Sequence, residues 1–285
     1  MNRRNLDTGS ERNEGGNHFP EIDLKYAVSR DEVWANLSRQ IEGSNSKSSG
    51  FLPNAFYKLA VAASLLVLLS VTGFLRFYTK TINTVAGQHL TFSLPDSSLI
   101  ELNAQSTVKY YPYWFTFSRI VTLDGEAFFK VTKGNRFKVL SKRGETTVLG
   151  TSFNIFSRND EYSVTCFTGK VSVVSAGKSE RVLLSPNEQA FINKDGFLRF
   201  VQEVNPQAVR SWRDNMFVFT GASITGVLQE IERQYNIKIV FKANPNLTYT
   251  GNFSKSLSQK EVLDLVCTSL GLKFEGRSET EFLIE

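Results

Sequence analysis

Residues 59–75 read LAVAASLLVLLSVTGFL. No charge interrupts these 17 residues, and Lys58 and Arg76 bound them. A helix of this length covers roughly 25 Å, slightly less than the roughly 30 Å hydrocarbon core of a bilayer. The flanks close the gap. Phe56, Tyr57, Phe74, Phe77 and Tyr78 stand where aromatic belts stand, and Lys58 and Arg76 have stems long enough to snorkel. The hydroxyls of Ser64, Ser70 and Thr72 are compatible with such a helix. A buried core helix is the competing reading, and the absence of a polar face argues against it. A run starting near residue 59 is expected to be a signal anchor, not a cleaved signal peptide. Arg39, Lys47 and Lys58 precede it and Arg76 and Lys80 follow, so charge alone barely favours an inside N-terminus.

On the N-terminal side, residues 1–58 hold eight Lys/Arg and eight Asp/Glu and are neutral. The first 28, rich in Asn, Gly, Glu and Arg, are expected to be mobile. Ser29 followed by Glu32 forms a capping-box pattern, and Val33, Trp34, Leu37 and Ile41 fall on one helical face. Gly43 and the run 44–50 close this helix and form a tether to the apolar segment. A lone helix of about 13 residues is marginal in water, so its apolar face needs a partner. Asp31, Glu32 and Glu42 are disfavoured at an anionic bilayer, which makes a protein a better partner than the membrane surface.

On the C-terminal side, residues 84–201 read as an all-β domain. Strand-like runs at 90–94, 98–102, 120–123, 127–131, 137–140, 146–148, 152–156, 162–167, 170–174 and 188–192 alternate with turn signals. Asp124-Gly125 is one of those signals, and the pattern implies a sandwich, a barrel or a solenoid. Residues 202–215, with Pro206, read as a linker. Then the period changes. Strands at 217–220, 237–241, 248–253, 272–275 and 281–284 surround helices at 224–235 and 258–270, with Ser223 and Ser256 as N-caps. Val227, Leu228, Ile231, Tyr235, Ile237 and Ile239 recur 35 residues later as Val262, Leu263, Val266, Leu270, Leu272 and Phe274. Residues 216–285 are therefore expected to form a small α+β domain of two βαβ units.

Composition narrows the chemistry. Two His and two Cys in 285 residues are too few for the usual structural zinc sites, and no cofactor or metal is expected. The net charge of +5 comes without a Lys/Arg run longer than two, so direct nucleic-acid binding is not expected. Gly-x-Ser-x-Gly, Walker A and His-Glu-x-x-His patterns are absent. Asp124 and Glu126 flank a glycine and read as turn chemistry, not a catalytic pair. His89 reads as a strand-edge residue, and Cys166 and Cys267 as small buried hydrophobes. No catalytic residue is assigned, and an enzyme is not expected.

Several stretches, taken in order, carry a family resemblance. They are Leu94-Pro95-Asp96-Ser97-Ser98, Leu102 to Ser106, RIVTLDGEAFFKV at 119–131, Phe137-Lys138-Val139, VLGTSFNI at 148–155 and TGKVSV at 168–173. Gly125, Gly150 and Gly169 read as positive-φ positions, and Phe128, Phe129, Phe137, Phe153 and Val171 as the inward face. From about Val85 to Glu285 the chain resembles the FecR family of single-pass anti-sigma factors, in its Bacteroidota form. The C-terminal repeat resembles the short N-terminal domain of secretins and TonB-dependent receptors. Ser97 stands where the family pattern has Gly, which leaves that turn's type open.

The resemblance implies an inner-membrane protein with a cytoplasmic N-terminus and periplasmic C-terminal domains. It implies two partners: an extracytoplasmic-function sigma factor, and the signalling domain of a TonB-dependent outer-membrane receptor. It also implies regulated proteolysis near residues 76–86 and then within the membrane. Val33, Trp34, Leu37 and Ile41 are the expected sigma-binding residues, and Phe217, Val218 and Phe219 the candidate strand for the receptor. A pro-sigma activator of the same pathway, and a membrane-anchored periplasmic binding or assembly module, are the alternatives.

Overall fold

A computed structural model describes residues 28–44, 54–177, 180–193 and 195–285. The expected mobile tail before residue 28, with His18, and nearly all of the expected tether, residues 45–50, lie outside the described residues. Helix α1 spans Arg30–Ser44. Its first turn is capped by Ser29, whose hydroxyl accepts from the Glu32 amide at 3.3 Å. Helix α2 spans Asn54–Phe77, 24 residues or roughly 36 Å, longer than the uncharged run because the aromatic flanks continue the helix. Its stretch Ala55–Phe77 is long and apolar enough to cross a membrane, and none of it is buried. The Thr72 hydroxyl donates to the Leu68 carbonyl at 2.7 Å, which satisfies a polar group inside an apolar surface.

Thirteen strands follow among the described residues: β1 Lys80–Asn83, β2 Leu90–Ser93, β3 Leu99–Leu102, β4 Thr107–Tyr110, β5 Arg119–Lys130, β6 Phe137–Leu140, β7 Gly144–Val148, β8 Ser152–Arg158, β9 Glu161–Thr168, β10 Val171–Ser175, β11 Arg181–Leu184, β12 Gln189–Ile192 and β13 Leu198–Val201. They form two layers. One runs β1-β4-β5-β6-β7-β10-β11 and the other β2-β3-β5-β8-β9-β12-β13. Successive hairpins β6-β7, β8-β9, β10-β11 and β12-β13 alternate between the layers. The chain thus coils like a solenoid while its layers pack like a sandwich. Every pairing is antiparallel except β5 with β6.

Strand β5 belongs to both layers. Its first half pairs with β4 and β6, its second half with β3 and β8. The crossing occurs at Gly125, where φ is +109° and an added Cβ would fall 2.4–2.6 Å from Ser106. Asp124-Gly125 is therefore a corner inside one 12-residue strand, not the expected turn between two strands. Gly150 and Gly169 also have positive φ, as expected.

The layers enclose one apolar core. Phe129 stacks on Phe153 at 5.0 Å, with Phe137 edge-on to Phe129 at 6.2 Å and to Phe115 at 6.1 Å. Val171 is fully buried there. Phe128 corrects the expected inward face. It is buried, but its neighbour Phe129 takes the inward position, and alternation turns Phe128 outward, against Phe167 and the Arg213 guanidinium. In the turn before β3, Ser97 has φ +65°, and its amide bonds the Leu94 carbonyl at 3.0 Å.

The expected linker carries structure of its own. Helix α3 spans Pro206–Arg210, capped by Asn205, and a 3₁₀ turn spans Ser211–Asp214. Next come β14 Met216–Ser223, α4 Ile224–Tyr235, β15 Lys238–Phe241, β16 Thr248–Ser254, α5 Gln259–Ser269, β17 Phe274–Gly276 and β18 Glu281–Ile284. Strand β14 pairs antiparallel with β16, and β18 lies between β15 and β17. Each 35-residue repeat contributes one strand to the two-stranded sheet, one helix, and one strand to the three-stranded sheet. The expected βαβ units are thus split across two sheets. Helix α4 is capped by Ser223 as expected. Helix α5 is capped by Ser258 instead of Ser256, through a capping box with Glu261.

Candidate functional site

The expected sigma-binding residues lie on α1. Val33, Trp34, Leu37 and Ile41 are between 44% and 61% exposed, so the helix presents the apolar stripe to its surroundings. Spacing at i, i+1, i+4 and i+8 puts them on one face. Such a helix becomes stable when that face is covered.

The second region is the junction between the β-sandwich and the repeat domain. Arg213, from the 3₁₀ turn, grips Glu101 of β3 with two hydrogen bonds of 2.7 and 2.5 Å, and its guanidinium lies 3.8 Å from the Phe128 ring centre. Near the C-terminal end of α4, Gln234 donates to Asn103 at 2.7 Å and to Glu230 at 2.8 Å. Its carbonyl oxygen accepts from His89 Nε2 at 2.9 Å and from Lys255 Nζ at 3.2 Å. Lys255 also bonds the Gly87 carbonyl at 3.2 Å, and the Gly87 amide bonds the Arg233 carbonyl at 2.8 Å.

Behind Asn103 sits Glu126. Its carboxyl accepts from Asn103 at 2.8 Å and from Asn154 at 2.9 Å and is buried. Burial, then the neighbouring charge of Glu230, push its pKa from the ordinary 4.5 up to about 7. Arg158, Asn154 and Asn103 pull the other way. Burial also lowers the pKa of His89, with Lys255 adding to the effect. Both cysteines are free and buried, and burial pushes each thiol up to about 11, so neither is a ready nucleophile.

A cavity of about 390 Å³ opens beside this network, lined by Trp212, Phe156, Glu230 and residues 216–219 of β14. Trp212 is nine-tenths buried, and its indole N–H has no partner. Phe217, Val218 and Phe219 all line the cavity, but not equivalently. Phe217 is buried against Phe253 at 4.6 Å and Tyr235 at 6.0 Å, while Val218 and Phe219 are half-buried. One edge of β14 is taken by β16, and the other pairs with no strand among the described residues. The stretch expected to be cleaved, 76–86, contains β1, paired with β4 along its four residues.

Sequence reasoning missed this junction. Asn103 and Gln234 stand 131 positions apart, and Glu101 and Arg213 stand 112 apart. Polar residues without periodicity give no local signal. The available hint is Trp212, a large aromatic in a stretch read as a linker.

A protein-family model described as FecR protein matches residues 80–172, and one described as FecR, C-terminal, matches residues 216–284. Two crystal structures of a candidate anti-sigma factor from Parabacteroides distasonis, at 2.50 and 1.65 Å, are similar at 30% identity. They cover 73% and 72% of this chain and 98% of their own, with TM-scores of 0.66 and 0.65. Among curated proteins, no significant match is found.

Proposed function

The chain belongs to the FecR family, and from that premise we propose that it is an anti-sigma factor that holds its sigma factor through the apolar stripe of α1. The exposure of Val33, Trp34, Leu37 and Ile41 on a short helix ahead of the apolar α2 carries this reading. Those four side chains fill an apolar groove of an extracytoplasmic-function sigma factor and withhold it from RNA polymerase. Helix α2 crosses the inner membrane once, with α1 in the cytoplasm and the two C-terminal domains in the periplasm. This arrangement separates the sigma-binding stripe from the receptor-binding module, so a signal must pass along one helix. The work is regulatory, and no residue is assigned a catalytic role.

The periplasmic side receives the signalling domain of a TonB-dependent receptor at the open edge of β14. An edge strand offers unpaired backbone donors and acceptors, and the adjoining cavity offers room for alternate side chains. Of the three expected residues, Val218 and Phe219 are the accessible ones. Release of the sigma factor then proceeds by regulated proteolysis near residues 76–86. Strand β1 must first leave β4, because a protease needs an extended, unpaired substrate.

Affinity purification of the tagged full chain from the membranes of its source cells tests the sigma reading. One alternative sigma factor should be retained, and Trp34→Ala should weaken its binding by roughly 2 kcal/mol or more, about 30-fold. Failure to retain any sigma factor, or an unchanged affinity in Trp34→Ala, would remove the stripe from the site.

A further inference from the structure

The loop between β4 and β5 is unusual in composition. Residues 111–118 read YPYWFTFS, with five aromatic residues and no charge. Phe115 points inward, is fully buried, and meets Tyr110 at 5.7 Å and Phe137 at 6.1 Å. Turns closed by bonds from the Trp114 amide to Tyr111 and from the Phe117 amide to Trp114 hold the rest outward. Tyr113 is 56% exposed and Phe117 is 77% exposed. A soluble surface has no evident reason to hold such rings out rigidly.

This loop lies against the end of α2. The Tyr113 ring meets that of Tyr78 at 5.5 Å and a 45° tilt, and Tyr78 in turn meets Phe74 at 5.3 Å. The Arg76 guanidinium lies 5.3 Å from the Trp114 ring centre and 5.8 Å from that of Tyr111. Resting on the reading that α2 crosses the bilayer, these distances fix the depth of the loop. Arg76 and Tyr78 mark the end of the apolar helix, hence the membrane–water boundary. The interfacial zone is about 5–10 Å deep, so the Tyr113 ring, 5.5 Å from Tyr78, falls inside it, with Trp114 5.3 Å from Arg76 and Phe117 4.9 Å from Trp114 beside it. Tyr and Trp prefer that zone, where the ring body is apolar and the polar tip stays wet.

We propose that the loop at 111–117 is a second membrane anchor, with Tyr113, Trp114 and Phe117 seated in the headgroup region of the bilayer that α2 crosses. The lipid surface is the occupant because the patch is continuous with the membrane-facing end of α2 and uncharged. Arg76, 5.3 and 5.8 Å from the Trp114 and Tyr111 ring centres, shares that zone. A helix alone is a swivel, and a loop anchored beside it turns the swivel into a fixed mount. The β-sandwich is then held in one orientation on the membrane, with β1 beside the surface.

The test uses the full chain in phosphatidylcholine vesicles brominated either near the headgroup or near the acyl-chain ends. Trp34→Phe and Trp212→Phe leave Trp114 as the sole tryptophan, with circular dichroism confirming the fold. Its emission should be largely lost in the shallow-brominated vesicles and largely retained in the deep ones. The pair Tyr113→Ser and Phe117→Ser, both at exposed positions, should restore most of it. A parallel variant with Trp114→Phe and Leu68→Trp reports on α2 and should be quenched by the deep lipid. Quenching of Leu68→Trp without quenching of Trp114 would overturn the anchor and leave the span intact. Shallow quenching unchanged by the two serines would also overturn it, since proximity and not insertion would then explain the signal. Quenching of neither would sink the span, and the anchor with it.

Discussion

Inside the β-sandwich, Phe129, Phe153, Phe137 and Phe115 pack ring on ring with every side chain fully buried. At the junction with the repeat domain, Asn103, Glu126, Asn154 and Gln234 are buried as well, but they meet through hydrogen bonds of 2.7–2.9 Å. The two regions hold the chain in different ways. Apolar burial is non-directional and indifferent to pH, so it supplies stability. A buried polar network is directional, costs free energy when any member is left unpaired, and responds to protons, so it selects one docking geometry. A relay of the kind proposed needs both: a rigid body, and a joint whose state can depend on conditions.

The largest expected effect breaks the rigid side. Phe129→Ala removes the ring between Phe153 and Phe137 from a fully buried, apolar site. Unfolding of the chain in detergent by urea should show a loss of about 3–5 kcal/mol. A loss below about 1 kcal/mol would mean that the layers close over the cavity, and the contrast between rigid core and adjustable joint would weaken.

The next prediction acts on the joint. Glu126 holds its proton to about pH 7 in the folded chain, whereas the unfolded chain gives it up near 4.5. Between those values the folded state binds one more proton, so stability falls as pH rises and levels off above about 7. The accumulated loss is on the order of 3 kcal/mol. His89 acts with the opposite sign, because its lowered pKa makes the folded state lose stability as pH falls below its ordinary 6.5. Comparison with Glu126→Gln separates the two, since His89 is present in both chains. The difference in stability between Glu126→Gln and the parent should grow across this window in favour of the variant and stay level above it. A difference that does not change with pH would show Glu126 to be ionised throughout and the joint to be insensitive to protons.

The same contrast explains what was readable in advance. Repetition and amphipathic spacing located α4 at its observed bounds and predicted the apolar positions of both repeats, because a helix that buries one face must show a 3.6 period. The stripe of α1 was visible for the same reason, although spacing names a face and not the molecule that covers it. Asp124-Gly125 misled because a corner that passes one strand between two layers uses the same dipeptide as a turn that ends a strand. Phe128 misled because two adjacent phenylalanines cannot both face inward, and what covers the outer one comes from Arg213 far along the chain. The aromatic loop had no period at all. Only the folded chain puts Tyr113 against Tyr78. Strands β1, β4, β11 and β13 are absent from the expected runs, and their length of four residues is not the reason, because β2, β3, β6 and β12 are as short and were read.

The smallest expected effect sharpens the comparison at a place where local strain, not burial, is at issue. Ser97 occupies a left-handed conformation at φ +65° between Asp96 and Ser98, where the family pattern has glycine. The turn is held by its neighbours. Asp96 accepts from the Ser98 amide at 3.0 Å and from its hydroxyl at 2.7 Å, and it also pairs with Arg119. Arg119 in turn bonds the Thr132 carbonyl at 2.8 Å and the Asn135 carbonyl at 2.7 Å. This network holds the backbone in a shape that serine disfavours, and the strain remains in the folded state. Ser97→Gly removes the Cβ that causes it but gives the unfolded chain more freedom. The first effect is about 1–2 kcal/mol and the second roughly 0.5–1 kcal/mol, so a net gain of about 0.5–1 kcal/mol is expected. A rise in the urea midpoint with an unchanged denaturant slope would show it. A fall would mean that Ser97 is already relaxed where it stands, and that the bonds around Asp96 follow the turn instead of imposing it.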